Sequence, residues 1–274
     1  MTSLTQGLGK APSEGGEIAY IVEGEGVAIA GAHPYWSPKE GGYPPIPGFT
    51  TITVFPRGFG ESSPARDASD YGFWRLSDDL DAVRRHLGLD KWIYWGVSYG
   101  GMTGQVYAVN CRDTLHALIL DGTAPSWQYI QDTNSIWPKV TRSPEAVAFR
   151  SNSTPETQRA FRDLIGRLGM NEWGFPKEGM IEQEQNPSAL AECVRRIGEY
   201  DVREKLKKLA IPVLILVGEK DPSCPPSQAK IIADCVPNGS LHIFPGIGHG
   251  VRFHNPPALL EIVNEFVRNA VGEG

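Results

Sequence analysis

Several features that mark large classes of protein are missing from this sequence. No apolar run in the 274 residues approaches the length of a membrane-spanning helix, and residues 1–17 are polar, without the apolar centre of a signal peptide. The chain also has no cluster of lysine and arginine, and its 26 basic and 32 acidic residues leave a net charge of -6. We therefore expect a cytoplasmic protein with neither a membrane nor a nucleic acid as its partner.

Cysteine is scarce, and its spacing carries no metal signature. The four cysteines, Cys111, Cys193, Cys224 and Cys235, are scattered without a Cys-x-x-Cys pair, so a zinc site is not expected. Reduced thiols are the simplest state for such residues in a cytoplasmic protein. Nothing in the sequence calls for a metal or an organic cofactor.

Short apolar runs recur along the chain and alternate with amphipathic stretches. With 41% hydrophobic residues, the chain suits one large α/β domain or a domain with an insertion. Strands are predicted at residues 18–22, 27–30, 50–55, 92–97, 116–120, 211–217 and 241–244. Helices are predicted at 76–87, 99–110 and 227–236 and from about 255 onward. This alternation, with strands apolar on both faces, predicts an α/β fold with a mostly parallel central sheet flanked by helices.

Residues 126–204 interrupt the alternation. The segment shows no clear strand, is charged and helix-compatible, and is far longer than an ordinary connection. We therefore predict a helical cap at 126–204, inserted into a core domain formed by residues 1–125 and 205–274. Its aromatic residues either pack inside the cap or line an apolar substrate pocket. The candidates for the pocket are Trp127, Trp137 and Trp173, together with Tyr35 and Trp36 from the loop after the second strand.

The predicted strand at 92–97 runs into Gly96-Val97-Ser98-Tyr99-Gly100, and a helix-compatible stretch follows. In a nucleophile elbow, a sharp strand-to-helix turn of the form Gly-x-Ser-x-Gly lifts the serine hydroxyl above the sheet. Glycines are expected two residues before and two after the serine, because these positions approach each other and leave no space for a Cβ. Ser98 is therefore the predicted nucleophile.

A serine hydroxyl needs a base that takes its proton, and His249 is the predicted base. It lies in a glycine-rich loop, residues 246–250, directly after the last predicted strand. Catalytic groups gather at the carboxyl edge of a parallel sheet, where this loop is expected. Among the other histidines, His86, His116 and His242 fall in or beside predicted helices and strands, where a structural role is simplest.

The base needs a carboxylate that orients it, and Asp221 is the predicted acid. It follows the predicted strand at 211–217, so it is also expected at the carboxyl edge. Asp121 follows another strand and is the alternative, although a turn-forming role before Gly122 is the simpler interpretation of that residue. Glu219 lies closer to its strand and is expected to cap the turn.

A tetrahedral intermediate also needs N–H donors for its oxyanion. One donor is expected from the backbone of Tyr99, next to the nucleophile. The second is expected from the loop that follows the strand at 27–30. Ala32 is the first candidate and His33 the second, whereas Pro34 is excluded because it has no N–H.

Together these motifs resemble those of the α/β-hydrolase superfamily, and the resemblance spans nearly the whole chain. The order Ser98, Asp221, His249 is the Ser…Asp…His order of that superfamily. Residues 57–62, Arg-Gly-Phe-Gly-Glu-Ser, are similar to a turn of its capped branch, which contains proline iminopeptidase-type peptidases and small carboxylesterases. The resemblance implies an α/β-hydrolase fold and serine-hydrolase chemistry. The sequence departs from the branch at residues 30–34, Ala-Gly-Ala-His-Pro in place of His-Gly, and at 55–56, Phe-Pro in place of an acidic residue.

The expected function is hydrolysis of a small, largely apolar carboxylic ester or lactone, a small-molecule substrate, through an acyl-enzyme on Ser98. One alternative is an aminopeptidase of the proline iminopeptidase kind. That chemistry needs carboxylates that hold the ammonium group of the substrate, and Glu172, Glu178, Glu182 and Glu184 are the candidates in the cap. A carbon–carbon bond hydrolase and a perhydrolase share the triad, and a non-catalytic ligand receptor shares the fold. The fold itself does not name the substrate, because it hosts many functions.

Overall fold

A computed structural model describes residues 4–32, 45–174 and 187–272 of the chain. Its strands are β1 (Gly7–Ser13), β2 (Gly16–Glu23), β3 (Val27–Ala32), β4 (Phe49–Val54), β5 (Trp92–Val97), β6 (Leu115–Asp121), β7 (Val213–Gly218) and β8 (Gly239–Phe244). Its helices are α1 (Phe73–His86), α2 (Tyr99–Asn110), α3 (Trp137–Val140), α4 (Pro144–Ser151), α5 (Pro155–Ile165), α6 (Asn171–Trp173), α7 (Pro187–Arg196), α8 (Arg203–Leu206), α9 (Pro226–Cys235), α10 (Val251–His254) and α11 (Leu259–Val271). Within the described ranges, no helix is both long and apolar enough to cross a membrane.

The strands form one sheet in the order β1-β2-β4-β3-β5-β6-β7-β8. β2 pairs antiparallel with β1 and with β4. All neighbours from β4 to β8 are parallel. The prediction of a mostly parallel sheet is confirmed.

The central strands are buried because helices cover both faces of the sheet. β4, β5 and β7 are buried along their whole length, as is typical of parallel strands. Side chains alternate along β5: Trp92 and Tyr94 pack in the apolar layer shared with α1 and α2, whereas Ile93 and Trp95 pack in the layer shared with α11. The four cysteines are free thiols, as the sequence predicts.

One described strand is absent from the sequence prediction, and the ends of most others differ from it by one or two residues. β1 lies in a stretch that was expected to be only a polar N-terminus, and it pairs with β2 from Gly7 opposite Val22 to Ser13 opposite Gly16. Its sequence, Gly-Leu-Gly-Lys-Ala-Pro-Ser, has no regular alternation of apolar and polar residues, so its pairing with β2 decides its structure. β3 continues to Ala32, two residues beyond the predicted end of the strand, because it pairs with β4 up to Val54.

The segment between β6 and β7 leaves the sheet and returns to it at one place. Ser126 and Asp201 form an isolated antiparallel bridge, Trp127 N donates to Tyr200 O at 2.7 Å, and Val202 N donates to Pro125 O at 3.1 Å. Helices α3 to α7 lie between these two ends. They enclose an apolar cluster of their own, formed by Ile136, Val140, Ala146, Phe149, Phe161, Leu190 and Ala191.

Candidate active site

Ser98 occupies the sharp turn between β5 and α2. Its backbone has φ 54° and ψ −121°, a positive-φ conformation that costs free energy for a residue with a side chain. Hydrogen bonds from both sides hold the turn. Ser98 N donates to Asp121 O at 2.9 Å, and Ser98 O accepts from Gly101 N at 2.9 Å and from Thr123 Oγ1 at 2.7 Å.

Gly96 has the steric role that the sequence predicts for it, and the neighbouring Gly101 is also closely packed. A Cβ placed on Gly96 would lie 2.6 Å from the carbonyl carbon of Gly100. A Cβ on Gly101 would lie 2.6 Å from Thr123 Cβ. Both distances are shorter than real carbon–carbon contacts, so the turn requires glycine at these positions.

His249 and Asp221 form a buried pair. The distance between His249 Nδ1 and Asp221 Oδ2 is 2.7 Å, and the residues are 1% and 3% exposed. The other carboxylate oxygen, Asp221 Oδ1, accepts from Ser223 N at 2.8 Å and from Cys224 N at 2.9 Å. Burial alone lowers the pKa of His249, but the charge and hydrogen bond of Asp221 outweigh it and raise that pKa above its usual value.

The sheet brings the predicted nucleophile, acid and base to one edge. Ser98, Asp221 and His249 follow the carboxyl ends of β5, β7 and β8 respectively, and β6 lies between β5 and β7. At the end of β6, Gly122 has φ 53°, and a Cβ on it would lie 2.8 Å from Asp221 Oδ2 and 3.1 Å from His249 Nδ1. The chain that hydrogen bonds to Ser98 through Asp121 and Thr123 therefore passes directly against the His–Asp pair.

Asp121 does more than the turn-forming role preferred for it from the sequence. Its carboxylate is fully buried, and its two oxygens accept hydrogen bonds of 2.8 Å from Val251 N and Arg252 N, just after His249 and Gly250. Burial raises the pKa of Asp121 to about 6, against the lowering effect of these two hydrogen bonds. In the sequence, only the position of Asp121 at the end of a strand indicates a role for it. Hydrogen bonds from backbone N–H groups do not depend on the side chains of the donor residues, so the sequence does not reveal them.

Glu219 also supports the loop that carries His249. Its Oε2 accepts a hydrogen bond of 3.0 Å from Gly246 N, in the loop after β8 rather than in its own turn after β7, where the sequence predicts a capping role. The carboxylate that contacts the imidazole of His249 belongs to Asp221, two residues after Glu219.

The two candidate oxyanion donors lie on either side of the serine turn. Tyr99 begins α2, so its N–H lies at a helix N-terminus, where the helix dipole favours negative charge. Ala32 is the last residue of β3 rather than part of a loop. The Tyr94 hydroxyl lies 3.1 Å from Gly100 O and 3.5 Å from Ala32 O, and thereby joins the end of β3 to the serine turn. The alternative donor, His33, lies outside the described residues.

The model of the alpha/beta hydrolase fold family matches residues 28–256, which is most of the chain. The chain belongs to the alpha/beta hydrolase family. The matched region includes β3 to β8, the serine turn, and the loops that carry Asp221 and His249.

Relatives of this alpha/beta hydrolase carry several activities in their names. A proline iminopeptidase from Chitinophaga pinensis is 24% identical over 233 residues, which cover 77% of this chain and 77% of that protein. A 3-oxoadipate enol-lactonase from Acinetobacter baylyi is 23% identical over 200 residues, 68% of this chain and 67% of that protein. A solved structure of an alpha/beta fold family hydrolase from Bacillus anthracis superposes with a TM-score of 0.78 at 25% identity, over 96% of this chain and 98% of that one.

Two of the aromatic residues predicted for the pocket of this hydrolase lie next to the candidate acid and base. Trp137 Nε1 donates to Ser223 Oγ at 3.2 Å, two residues from Asp221. Trp173 O accepts from His249 N at 2.6 Å. Trp127 lies at the start of the segment between β6 and β7, where its backbone pairs with Tyr200.

The structure does not describe the remaining pocket candidates or most of the cap carboxylates. Tyr35, Trp36, Glu178, Glu182 and Glu184 lie outside the described residues. Glu172 is described and is exposed to solvent on α6.

Proposed function

We propose that this alpha/beta hydrolase is a serine hydrolase that cleaves a small, largely apolar carboxylic ester or lactone. The observation that carries the proposal is the buried Asp221–His249 pair, 2.7 Å between Oδ2 and Nδ1, at the same sheet edge as a serine held at positive φ. A base oriented by a carboxylate, beside a strained serine, is the arrangement that nucleophilic catalysis needs. The enol-lactonase among the relatives supports a lactone or ester as the bond that is cleaved.

In the proposed mechanism, acylation begins with transfer of the Ser98 hydroxyl proton to His249 Nε2. As the proton leaves, Ser98 Oγ bonds to the carbonyl carbon of the substrate and the π electrons move to the carbonyl oxygen. The oxyanion accepts hydrogen bonds from Tyr99 N–H and Ala32 N–H. The bond to the leaving alkoxide then breaks, and His249 gives it the proton.

Deacylation repeats these steps with water as the nucleophile. His249 takes a proton from the water molecule as its oxygen bonds to the acyl carbon, and returns the proton to Ser98 Oγ as the acid product leaves. The carboxylate of Asp221 stabilises the imidazolium that forms on His249. Its second oxygen, held by Ser223 N and Cys224 N, keeps the carboxylate in place.

We propose that residues 126–204 form a cap over this site, on a core of residues 1–125 and 205–274. The paired ends of the segment at Ser126 and Asp201, together with its own apolar cluster, support a separate unit. Trp137 and Trp173 contact the loops of the acid and the base. We therefore assign them, with Trp127, to the wall of the acyl pocket.

The test is turnover of p-nitrophenyl acetate and p-nitrophenyl butyrate by the wild type, Ser98→Ala and Ser151→Ala. Ser151 is exposed at the end of α4 and serves as the matched serine control. We expect the activity of the wild type to be kept by Ser151→Ala and lost by Ser98→Ala. Equal rates for the wild type and Ser98→Ala, or no labelling of Ser98 by a fluorophosphonate, would contradict the proposal.

An aminopeptidase of the proline iminopeptidase kind is the second candidate. It is favoured by the match to the Chitinophaga pinensis enzyme over 77% of both chains. This activity needs a carboxylate that receives the ammonium group of the substrate, and Glu172 is exposed rather than enclosed. Cleavage of a proline arylamide at a rate comparable with that of the esters would replace the esterase proposal with this one.

A further inference from the structure

The buried carboxylate of Asp121 accepts hydrogen bonds from the backbone just after the candidate base, His249. One oxygen accepts from Val251 N and the other from Arg252 N, each at 2.8 Å. These two N–H groups open α10, which has no side-chain cap of its own. Gly250 precedes them with φ 75°, so the chain turns sharply between His249 and the two donors.

The main chain of Asp121 is also held in place. It is the last residue of β6, paired with Val97 of β5 and with Leu216 of β7. Its own carbonyl accepts from Ser98 N at 2.9 Å. A single residue therefore touches the backbone of the serine turn through its main chain and the backbone after His249 through its side chain.

We propose that Asp121 is a positioning residue for His249: its carboxylate anchors the backbone after Gly250 and so holds the imidazole against Asp221 and in line with Ser98. The proposal rests on the proposed function in that His249 is taken as the base. The alternative is that Asp121 only stabilises the fold. The two differ in what they predict for the state of the imidazole.

Charged groups reach Asp121 from the two neighbouring loops. His249 faces it from the loop after β8, and Asp221 from the loop after β7. The guanidinium of Arg252, on α10, lies 4.9 Å from the centre of the Trp95 ring. Through space, the negative charge of Asp121 adds to that of Asp221 in raising the pKa of His249.

Asp121 gains its proton at a pH below the raised pKa of His249. Burial raises its pKa to about 6, so the carboxylate is charged at neutral pH and gains a proton below about pH 6. A protonated carboxyl accepts hydrogen bonds more weakly than a carboxylate. Acidification therefore loosens the anchor while it also protonates His249.

The direct test follows the imidazole of His249 by NMR in the wild type, Asp121→Asn and Asp121→Ala. We expect Asp121→Asn to move the titration of His249 to lower pH, because a negative charge is removed while one oxygen acceptor is kept. We expect Asp121→Ala to weaken or abolish the downfield Nδ1–H resonance of the His249–Asp221 hydrogen bond. Asp113→Asn, which removes a carboxylate that is 94% exposed on its side chain, is the control for net charge.

A second measurement uses the rate of fluorophosphonate labelling at Ser98 as a function of pH. Asp121→Ala should label more slowly by about tenfold or more, since small displacements of a catalytic group have effects of this size. Asp121→Asn should be labelled faster than Asp121→Ala. Its loss of labelling at low pH should follow the protonation of His249 alone, rather than the protonation of both His249 and Asp121. If Asp121→Ala does not fold, Asp121→Asn still gives both readouts.

The outcomes separate the inference from the proposed function. An unchanged His249 titration and Nδ1–H resonance in a folded Asp121 variant would show that Asp121 is only structural, whatever the enzyme cleaves. Absence of labelling in the wild type would refute the serine hydrolase. The NMR shifts would still decide whether Asp121 positions the imidazole.

Discussion

At the scale of single residues, neighbouring groups stabilise an unfavourable backbone conformation of Ser98 and a raised pKa of the buried His249. Ser98 keeps a positive φ because Asp121, Gly101 and Thr123 bind its backbone. His249 is buried at 1% exposure and still has a raised pKa, because Asp221 lies 2.7 Å from its Nδ1. Each of these states predicts a measurable effect when its support is removed.

The first prediction concerns pH. His249 must be neutral to take a proton, so ester hydrolysis should be lost as the pH falls through a pKa above the usual value of about 6.5. In Asp221→Asn, this loss should move to lower pH, because the charge that raises the pKa is gone, and kcat should fall by about 10⁴-fold. The profile of kcat/KM against pH checks both effects, with Asp113→Asn as the control, and an unchanged acid limb in Asp221→Asn would rule out the assigned pair.

The second prediction concerns the serine turn. Gly96→Ala places a Cβ 2.6 Å from the carbonyl carbon of Gly100, and we expect it to destabilise the protein by about 1–3 kcal/mol and to lower the labelling of Ser98. Urea unfolding measures the first effect. Gly198→Ala is the matched control, because a Cβ on Gly198 has no neighbour within 4 Å, and equal stability of the two variants would refute the steric argument.

At the scale of elements, the segment between β6 and β7 is hydrogen bonded to the loops that carry the candidate acid and base. Ile136 N donates to Pro222 O at 2.8 Å, and His249 N donates to Trp173 O at 2.6 Å. Asp132 Oδ2 accepts from Ser227 Oγ at 2.5 Å and from Gln228 Nε2 at 2.7 Å. The segment is therefore linked to the loop after β7, to α9 and to the loop after β8 by specific hydrogen bonds.

The third prediction tests this link. Asp132→Ala removes the acceptor of Ser227 and Gln228, and because Asp132 is half-buried we expect a loss of about 1 kcal/mol in stability. Amide hydrogen exchange should become faster at the start of α9 and in residues 127–137. Asp163→Ala, an exposed carboxylate of α5, should leave exchange in both places unchanged; faster exchange in that variant as well would mean that Asp132 has no special role.

The sequence predicted most elements, and its errors have physical causes. α2 was predicted at 99–110 and is Tyr99–Asn110, since strand and helix meet at the serine turn. β1 was missed because its stability comes from its partner β2 and not from its own pattern. Ala32 was predicted in a loop, although pairing with Val54 extends β3 to that residue.

At the scale of the whole molecule, a buried ion pair joins the N-terminal hairpin, the loop after β4 and α1. Arg57 is 0% exposed, and its guanidinium donates to Asp79 at 2.8 Å from Nε and 2.6 Å from Nη2. Nη2 also donates to Glu14 O, in the turn between β1 and β2, at 3.0 Å. Ser13 Oγ donates to the same carboxylate at 2.6 Å. Three parts of the chain thus share one charge pair.

The fourth prediction concerns this pair. Asp79→Ala leaves the buried guanidinium of Arg57 with only the more distant carboxylate of Asp70, at 3.7 Å, and we expect a loss of about 3 kcal/mol in the free energy of unfolding. The double variant Arg57→Met/Asp79→Leu should lose less than Asp79→Ala, because it removes the poorly paired guanidinium while Arg66 still pairs with the remaining buried carboxylate, Asp70, at 2.9 Å. Urea unfolding gives both values, with Lys10→Ala, from an ion pair whose side chains are 41% and 62% exposed, as the control; a double variant less stable than Asp79→Ala would refute the argument.

Part of the candidate site could be predicted from the sequence, for the same reason that the sheet could be predicted. Ser98, Asp221 and His249 each follow an apolar strand, and a parallel sheet places such positions at one edge. Contacts through main-chain atoms could not be predicted, because they carry no side-chain pattern. The acceptance of two N–H groups by Asp121 and the hydrogen bond from His249 N to Trp173 O belong to this class.

The position of β8 at the edge of the sheet has a consequence for biosynthesis. The residues of the serine turn are made well before His249, which follows Ser98 by more than 150 residues and comes after β8, the last of the described strands. Because β8 pairs only with β7 among the described strands, it can join a sheet that is already formed. If Ser98 and His249 act as proposed, a nascent chain on the ribosome carries the proposed nucleophile without its base until β8 and the loop after it have been synthesised and added.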